Sequence, residues 1–211
     1  MLMTYTGTCG SGKSYHSVKE IIYRLKRGGV VITNLELDIE NIVKYHKKIT
    51  ADDLAERLII LDNEDITPRI LFEYAMNFKD NKQKILLLID EAADMFNTRE
   101  WNKADRKSWN KFFRMHRHLH YDVVLVAQHR KMIDKQVQWL FDVDVQHRNL
   151  KEFGFIGTLL FVFLPKLFLC VTVYAPLKTK SGSKWVWLQK KYYKCYDTFT
   201  LANYQGVDFF D

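Results

Sequence analysis

Gly7-Thr8-Cys9-Gly10-Ser11-Gly12-Lys13-Ser14, placed directly behind the apolar hexamer Met1 to Thr6, is a complete phosphate-binding loop of the form G-x-x-x-x-G-K-[ST]. Glycines in such a loop let the backbone curl until its N–H groups point inward at phosphate oxygens. Lys13 then adds a point charge on the β and γ phosphates, and the Ser14 hydroxyl is a ligand for Mg²⁺. The context fits: a short β-prone run precedes the loop and a helical stretch, Lys13 to Arg27, follows it. The expected ligand is a nucleoside triphosphate, ATP, held with Mg²⁺.

Working outward, Val18, Ile21, Ile22 and Leu25 recur at helical spacing and Gly28-Gly29 supplies the stop. Val30 to Thr33 reads as a short strand ending at Asn34. Asp38 to Glu64 mixes helical periodicity with charge and reads as surface helices around an insertion. Thr67-Pro68 starts a further helix, with Ile70, Leu71, Tyr74, Ala75 and Phe78 on one face. Ile85 to Ile89 is a run of five apolar residues, as expected of a parallel strand buried on both faces. Asp90 and Glu91 follow it, at the carboxyl end where open α/β sheets bind ligands. Trp101 to His120 forms a basic, aromatic helix, and Tyr121 to Ala127 is the next buried strand, closed by Gln128. Alternating strands and helices predict an α/β fold with a mostly parallel sheet flanked by helices.

Past about residue 150 the pattern changes. Phe155 to Phe163, Leu167 to Leu177 and Lys184 to Lys194 read as strands, punctuated by Pro165-Lys166 and Lys180 to Ser183. The expectation is a core over 1–150 and a β-rich extension of the same domain over 151–211, built as an antiparallel meander. A transmembrane helix over Phe155 to Ala175 is the competing reading. Pro165-Lys166 at its centre and the β-branched, aromatic content argue against it.

The 211 residues suffice for one domain, and 47% hydrophobic content fills a sizeable core. Cys9, Cys170 and Cys195 are far apart and form no C-x-x-C pair, so neither a zinc ribbon nor a disulfide framework is indicated and a reducing compartment is expected. A net charge of +7 points to an anionic partner, nucleic acid or a membrane surface. Met1 to Tyr5 runs straight into the loop, leaving no room for a leader and predicting a cytoplasmic ATP site.

Phosphoryl transfer to water needs a phosphate cradle, a metal, a residue that orients the water, and often an arginine. Gly7 to Ser14 is the cradle, Ser14 and Asp90 hold Mg²⁺, Glu91 polarises the water, and Gln128 reads the γ-phosphate through its amide. Gln128 has a plainer reading as a polar strand end, and Asp90-Glu91 as a loop start or helix cap. Arg114, Arg117, Arg130 and Arg148 are candidates to act across a subunit boundary. His116 and His120 stand four apart, as two metal ligands on a helix do, with no third ligand in view. Trp101 and Trp109 among lysines and arginines suit stacking on single-stranded DNA, and equally a subunit or membrane contact.

Taken together, the Gly7 to Ser14 loop, the strand ending at Thr33-Asn34, Ile85 to Glu91 followed by Ala92, and above all Arg117-His118 leading into Asp122 to Gln128 resemble the zonula occludens toxin family. These are assembly ATPases of filamentous phages, related to the FtsK and HerA class of DNA-pumping motors. The likeness extends to about residue 200, including Tyr192 to Thr198. It implies a ring-forming homo-oligomer at the cytoplasmic face of the host inner membrane, driving export of single-stranded DNA as coat protein assembles around it. In that family a transmembrane helix often follows, whereas no stretch here reads as a clear spanning helix. Nucleotide or small-molecule kinases and nucleotide-gated membrane-docking modules are the alternatives that the loop alone leaves standing.

Overall fold

The computed structural model describes residues 1–97, 103–164 and 166–196. The chain opens with β1 (Leu2–Thr6), which feeds the glycine loop into α1 (Lys13–Lys26). β2 (Val31–Thr33) follows, then α2 (Ile39–Tyr45), α3 (Ala51–Arg57) and the edge strand β3 (Leu58–Ile60). Thr67 caps α4 (Pro68–Asn77) by accepting the Ile70 N–H at 3.3 Å, with proline in the first turn where its missing N–H costs nothing. β4 (Ile85–Ile89), α5 (Ala92–Met95), α6 (Lys103–Met115) and β5 (Tyr121–Val126) complete the alternating part. The rest is α7 (Lys135–Gln138), β6 (Val143–Asn149), α8 (Gly154–Phe163), β7 (Leu167–Tyr174), β8 (Thr179–Trp187) and α9 (Lys190–Tyr193).

The eight strands form one sheet in the order β3-β2-β4-β5-β1-β6-β7-β8. The first six are parallel; β7 runs antiparallel to β6, and β8 to β7. Side-chain alternation along β4 builds the two cores. Ile85, Leu87 and Ile89 point to the side covered by Leu71 and Ala75 of α4 and by Trp109, Phe112 and Phe113 of α6. Leu86 and Leu88 point to the side covered by Val18, Ile21, Ile22 and Leu25 of α1. A strand buried on both faces has no polar side, which is why its sequence is an unbroken apolar run.

The alternating half follows the sequence pattern except at β3, and the C-terminal part corrects it in four places, one being that the strand expected over Lys184 to Lys194 ends at Trp187 and gives way to the helix α9. An antiparallel meander is present, but its first strand is β6, where Val143, Val145 and His147 alternate with polar residues. Phe155 to Phe163, expected as a strand, is the helix α8. A short run of apolar residues has no period with which to choose between the two. Gly157 lets this helix press onto the preceding turn, since a Cβ there would lie 2.2 Å from the Leu150 carbonyl oxygen. The hairpin turn is Ala175 to Lys178, around Pro176; Lys180 to Ser183 lies within β8, where the register skips Ser181 opposite Thr172 and Val173. The Ser-Gly-Ser sequence marks a bulge rather than a turn. β3 was likewise unexpected, and among the described residues no helix is long and apolar enough to cross a membrane.

Candidate functional site

The loop leaves β1 at the carboxyl edge of the sheet, held by its neighbours on both sides. Gly7 N–H donates to the Gln128 carbonyl at 3.2 Å, continuing the β1–β5 ladder. On the other side a Cβ at position 7 would lie 2.3 Å from the His147 carbonyl oxygen of β6, so the close approach of that strand requires glycine. Thr8 Oγ1 donates to Glu152 at 2.7 Å, and Asn149 donates to the Gly10 carbonyl at 3.4 Å. Gly12, at φ 98°, turns the chain into α1 and leaves the first helical N–H groups facing the loop's hollow. Lys13 Nζ donates to the Gly7 and Thr8 carbonyls at 2.8 and 2.9 Å. Burial pulls the lysine pKa below its ordinary value, while Asp90 acts to raise it.

Because β5 lies between β1 and β4, Gln128 emerges between the loop and Asp90-Glu91. Ser14 Oγ donates to Asp90 Oδ2 at 3.5 Å. Burial pushes the Asp90 carboxyl above its usual range, opposed by the Glu91 N–H, Lys13 and Ser14. Glu91 is also raised, first by burial and then by the charge of Asp90. Its backbone is left-handed, φ 48°, and its N–H is tied to Asp90 Oδ1 at 3.0 Å. Such a conformation in a non-glycine residue costs about 1–3 kcal/mol and concentrates at functional sites. Lys13, Ser14, Asp90, Glu91 and Gln128 all line one cavity of about 420 Å³, with Cys9, Tyr15 and Tyr196 among its other walls. Two hydroxyl and carboxylate oxygens facing each other beside a lysine are hard donors of the kind Mg²⁺ takes, so the residues present fit that ion.

Asn34 was missed as a positioning residue. Its side chain accepts from Asp90 N–H at 2.7 Å and donates to the Asp90 carbonyl at 2.8 Å, prolonging the β2–β4 ladder beyond the end of β2. An asparagine directly after a β-branched strand was the available signal.

The arginine candidates separate by position. Arg117 pairs with Asp142 at 2.7 Å, and Asp142 in turn accepts from Leu2 N–H, which puts Arg117 at the sheet edge opposite the loop. Arg148 is exposed one position past His147, on the loop's side. Arg130 donates to the Gln138 carbonyl and lies over the Phe141 ring at 5.4 Å, while Arg114 is exposed on α6. Trp109 is buried against Phe96 and Phe113, so it is unavailable for stacking on bases; Trp101 lies outside the described residues. α6 ends at Met115, and the ring of the buried His116 is bonded to the Phe113 carbonyl at 2.6 Å. Among the described residues, His116 and His120 belong to no potential metal-binding group.

A mostly parallel sheet that delivers a phosphate loop from β1, with an acidic pair two strands away across β5, defines a P-loop NTPase fold. The chain belongs to the zonular occludens toxin (Zot) family, whose sequence model matches residues 1–199. It is 29% identical over 203 residues to the gene 1 protein of Enterobacteria phage f1, covering 92% of this chain and 58% of that one. It thus spans little more than half of that relative's length. Among solved structures it is similar to the N-terminal domain of zonular occludens toxin from Neisseria meningitidis, with a TM-score of 0.56, 20% identity and coverage of 93% and 98% of the two chains. It is also similar to the genome packaging NTPase B204 of Sulfolobus turreted icosahedral virus 2, with a TM-score of 0.54, 16% identity and coverage of 87% and 96%.

Proposed function

We propose that the chain is a Mg²⁺-dependent ATPase that powers filamentous phage assembly and export of single-stranded DNA through the host inner membrane, working as a ring of identical subunits. The observation that carries this reading is the convergence of Lys13, Ser14, Asp90, Glu91 and Gln128 on one cavity beside the glycine loop. Loop N–H groups and Lys13 hold the triphosphate, Lys13 exchanging two carbonyl partners for phosphate oxygens. Ser14 and Asp90 hold Mg²⁺, which when bound neutralises charge on the phosphates. Glu91 accepts a hydrogen bond from the attacking water, and its raised pKa makes it a stronger base than an ordinary carboxylate. Gln128 donates to the γ-phosphate. Arg148, exposed on the loop's side, is the preferred candidate for reaching a neighbour's site.

We assign the core to 1–150 and the extension to 151–211, and place the chain in the host cytoplasm against the inner membrane. A surface feature supports the membrane face: Phe155, Leu159, Val162 and Phe163 recur on one side of α8 and point to solvent, Phe155 being 85% exposed. Exposed Trp185 of β8, its ring 6.1 Å from that of Phe153, and exposed Lys166 supply the aromatic and basic groups that suit an anionic lipid surface. The test is ATP turnover with and without single-stranded DNA, alongside particle mass. DNA-stimulated turnover by an oligomer supports the reading; turnover that depends on a small-molecule acceptor overturns it.

A further inference from the structure

Behind the nucleotide loop lies a second constellation: His16, His147 and Cys170, whose ligand atoms all lie within 4.8 Å of one another. Three elements bring them together. His147 and Cys170 are directly opposite in the antiparallel β6–β7 ladder and share the face covered by α1. His16 comes from the first turns of α1, three residues past Lys13, and its ring stacks flat on Tyr5 of β1 at 4.6 Å. His147 is 1% exposed and Cys170 4%.

The hydrogen bonds fix the tautomer that a ligand needs. His147 Nδ1–H donates to the Thr6 carbonyl at 3.1 Å, which leaves Nε2 with its lone pair directed at His16 Nδ1, 2.8 Å away. A ring nitrogen anchored to a backbone carbonyl is how metal-ligating histidines are oriented. Cys170 Sγ lies 3.9 Å from the same His16 nitrogen. A tetrahedral zinc ion needs ligand edges of roughly 3.3 Å between nitrogens and roughly 3.6 Å between nitrogen and sulfur. The observed 2.8 and 3.9 Å edges bracket these, and the third, between His147 and Cys170, is no longer than 4.8 Å, so side-chain movement of up to about an ångström reaches them. Burial pushes the Cys170 thiol well above its ordinary range, opposed by Lys19 and by Lys184, the latter opposite Cys170 in the β7–β8 register, so the ion itself must displace the thiol proton.

We propose that His16, His147 and Cys170 form a site for a borderline-soft divalent ion of the Zn²⁺ class, its fourth position left to solvent. Binding exchanges the Cys170 thiol proton for the metal and moves the His16 proton from Nδ1 to Nε2, so one proton is released per ion. The ion staples the start of α1, just behind Lys13 and Ser14, to the β6–β7 pair, where it supports the loop from behind without touching nucleotide. Two imidazoles and a thiolate suit zinc and exclude Mg²⁺.

The test uses the full chain, stripped with a chelator and titrated with Zn²⁺ against a chromophoric competitor, in excess Mg²⁺ and without nucleotide. One Zn²⁺ per chain is expected, more than about 100-fold weaker in Cys170→Ser and in His147→Gln, and unchanged in His118→Asn. Co²⁺ in the wild-type chain should give a thiolate charge-transfer band and strong tetrahedral d–d bands that persist in Cys9→Ser. Zinc binding that is no tighter in wild type than in Cys170→Ser overturns the proposal. Should the variants fail to fold, a wild-type cobalt spectrum without the thiolate band overturns it as well.

Discussion

Replacing Gly12 by alanine probes the joint between the nucleotide loop and the antiparallel extension. Gly12 has φ 98°, and a methyl built there would lie 2.9 Å from three ring carbons of Phe168 on β7. Two costs add. A left-handed backbone costs an L-residue about 1–2 kcal/mol, and overpacking a buried ring about 1–3 kcal/mol, giving about 2–5 kcal/mol together. The ring has little room to yield, being 4% exposed and set edge-on to Tyr15 at 5.8 Å. Gly10 is the internal control: φ is 71°, yet nothing lies within 4 Å of its Cβ position, so Gly10→Ala should cost only the backbone part, about 1–2 kcal/mol. Urea unfolding of both variants, and of Gly12→Ala in a Phe168→Leu background, separates the terms. The smaller side chain should recover about 1–3 kcal/mol of the Gly12→Ala cost as a coupling energy. Equal destabilisation by the two alanines, or no coupling to Phe168, would refute the packing argument.

Lys13→Ala should weaken binding of a fluorescent ATP analogue by about 10- to 100-fold, the loss of one charge-assisted contact, while leaving the melting temperature nearly unchanged. Asp90→Asn should raise thermal stability at neutral pH. Burial raises this carboxyl above the ordinary aspartate range, so ionisation favours the unfolded chain. The gain over wild type is therefore full above the raised pKa and vanishes as pH falls below the ordinary carboxylate range; differential scanning at two pH values reads it. The same variant should lose Mg²⁺-dependent nucleotide affinity. Asn34→Ala, which frees both backbone groups of Asp90, should lower turnover more than it lowers ATP binding, as steady-state kinetics and titration would report.

The parallel half of the sheet was legible because its strands carry their burial in their composition: Ile85 to Ile89 and Tyr121 to Ala127 have apolar residues for two cores. Loop and acidic pair were legible because their chemistry demands particular residues at fixed spacing. What was illegible depended on contacts between distant segments. α8 has no periodicity to distinguish it from a strand, and β3 is three residues long. The aromatic residues of α6 alternate with basic ones, and only packing on β4 and β5 reveals that Trp109, Phe112 and Phe113 are core. His16, His147 and Cys170 are remote in the chain and meet through the β6–β7 register, which no local pattern predicted.

Hydrolysis at the cavity between the glycine loop and Glu91 is tested by one paired measurement: Mg²⁺-ATP binding and single-turnover hydrolysis by wild type and Glu91→Gln on the same preparations. Wild type should hydrolyse ATP, and Glu91→Gln should bind it with near-normal affinity while its turnover falls by about 10²- to 10⁴-fold, the range for a lost general base. Undiminished turnover in Glu91→Gln, or no ATP binding by wild type, would contradict the central claim.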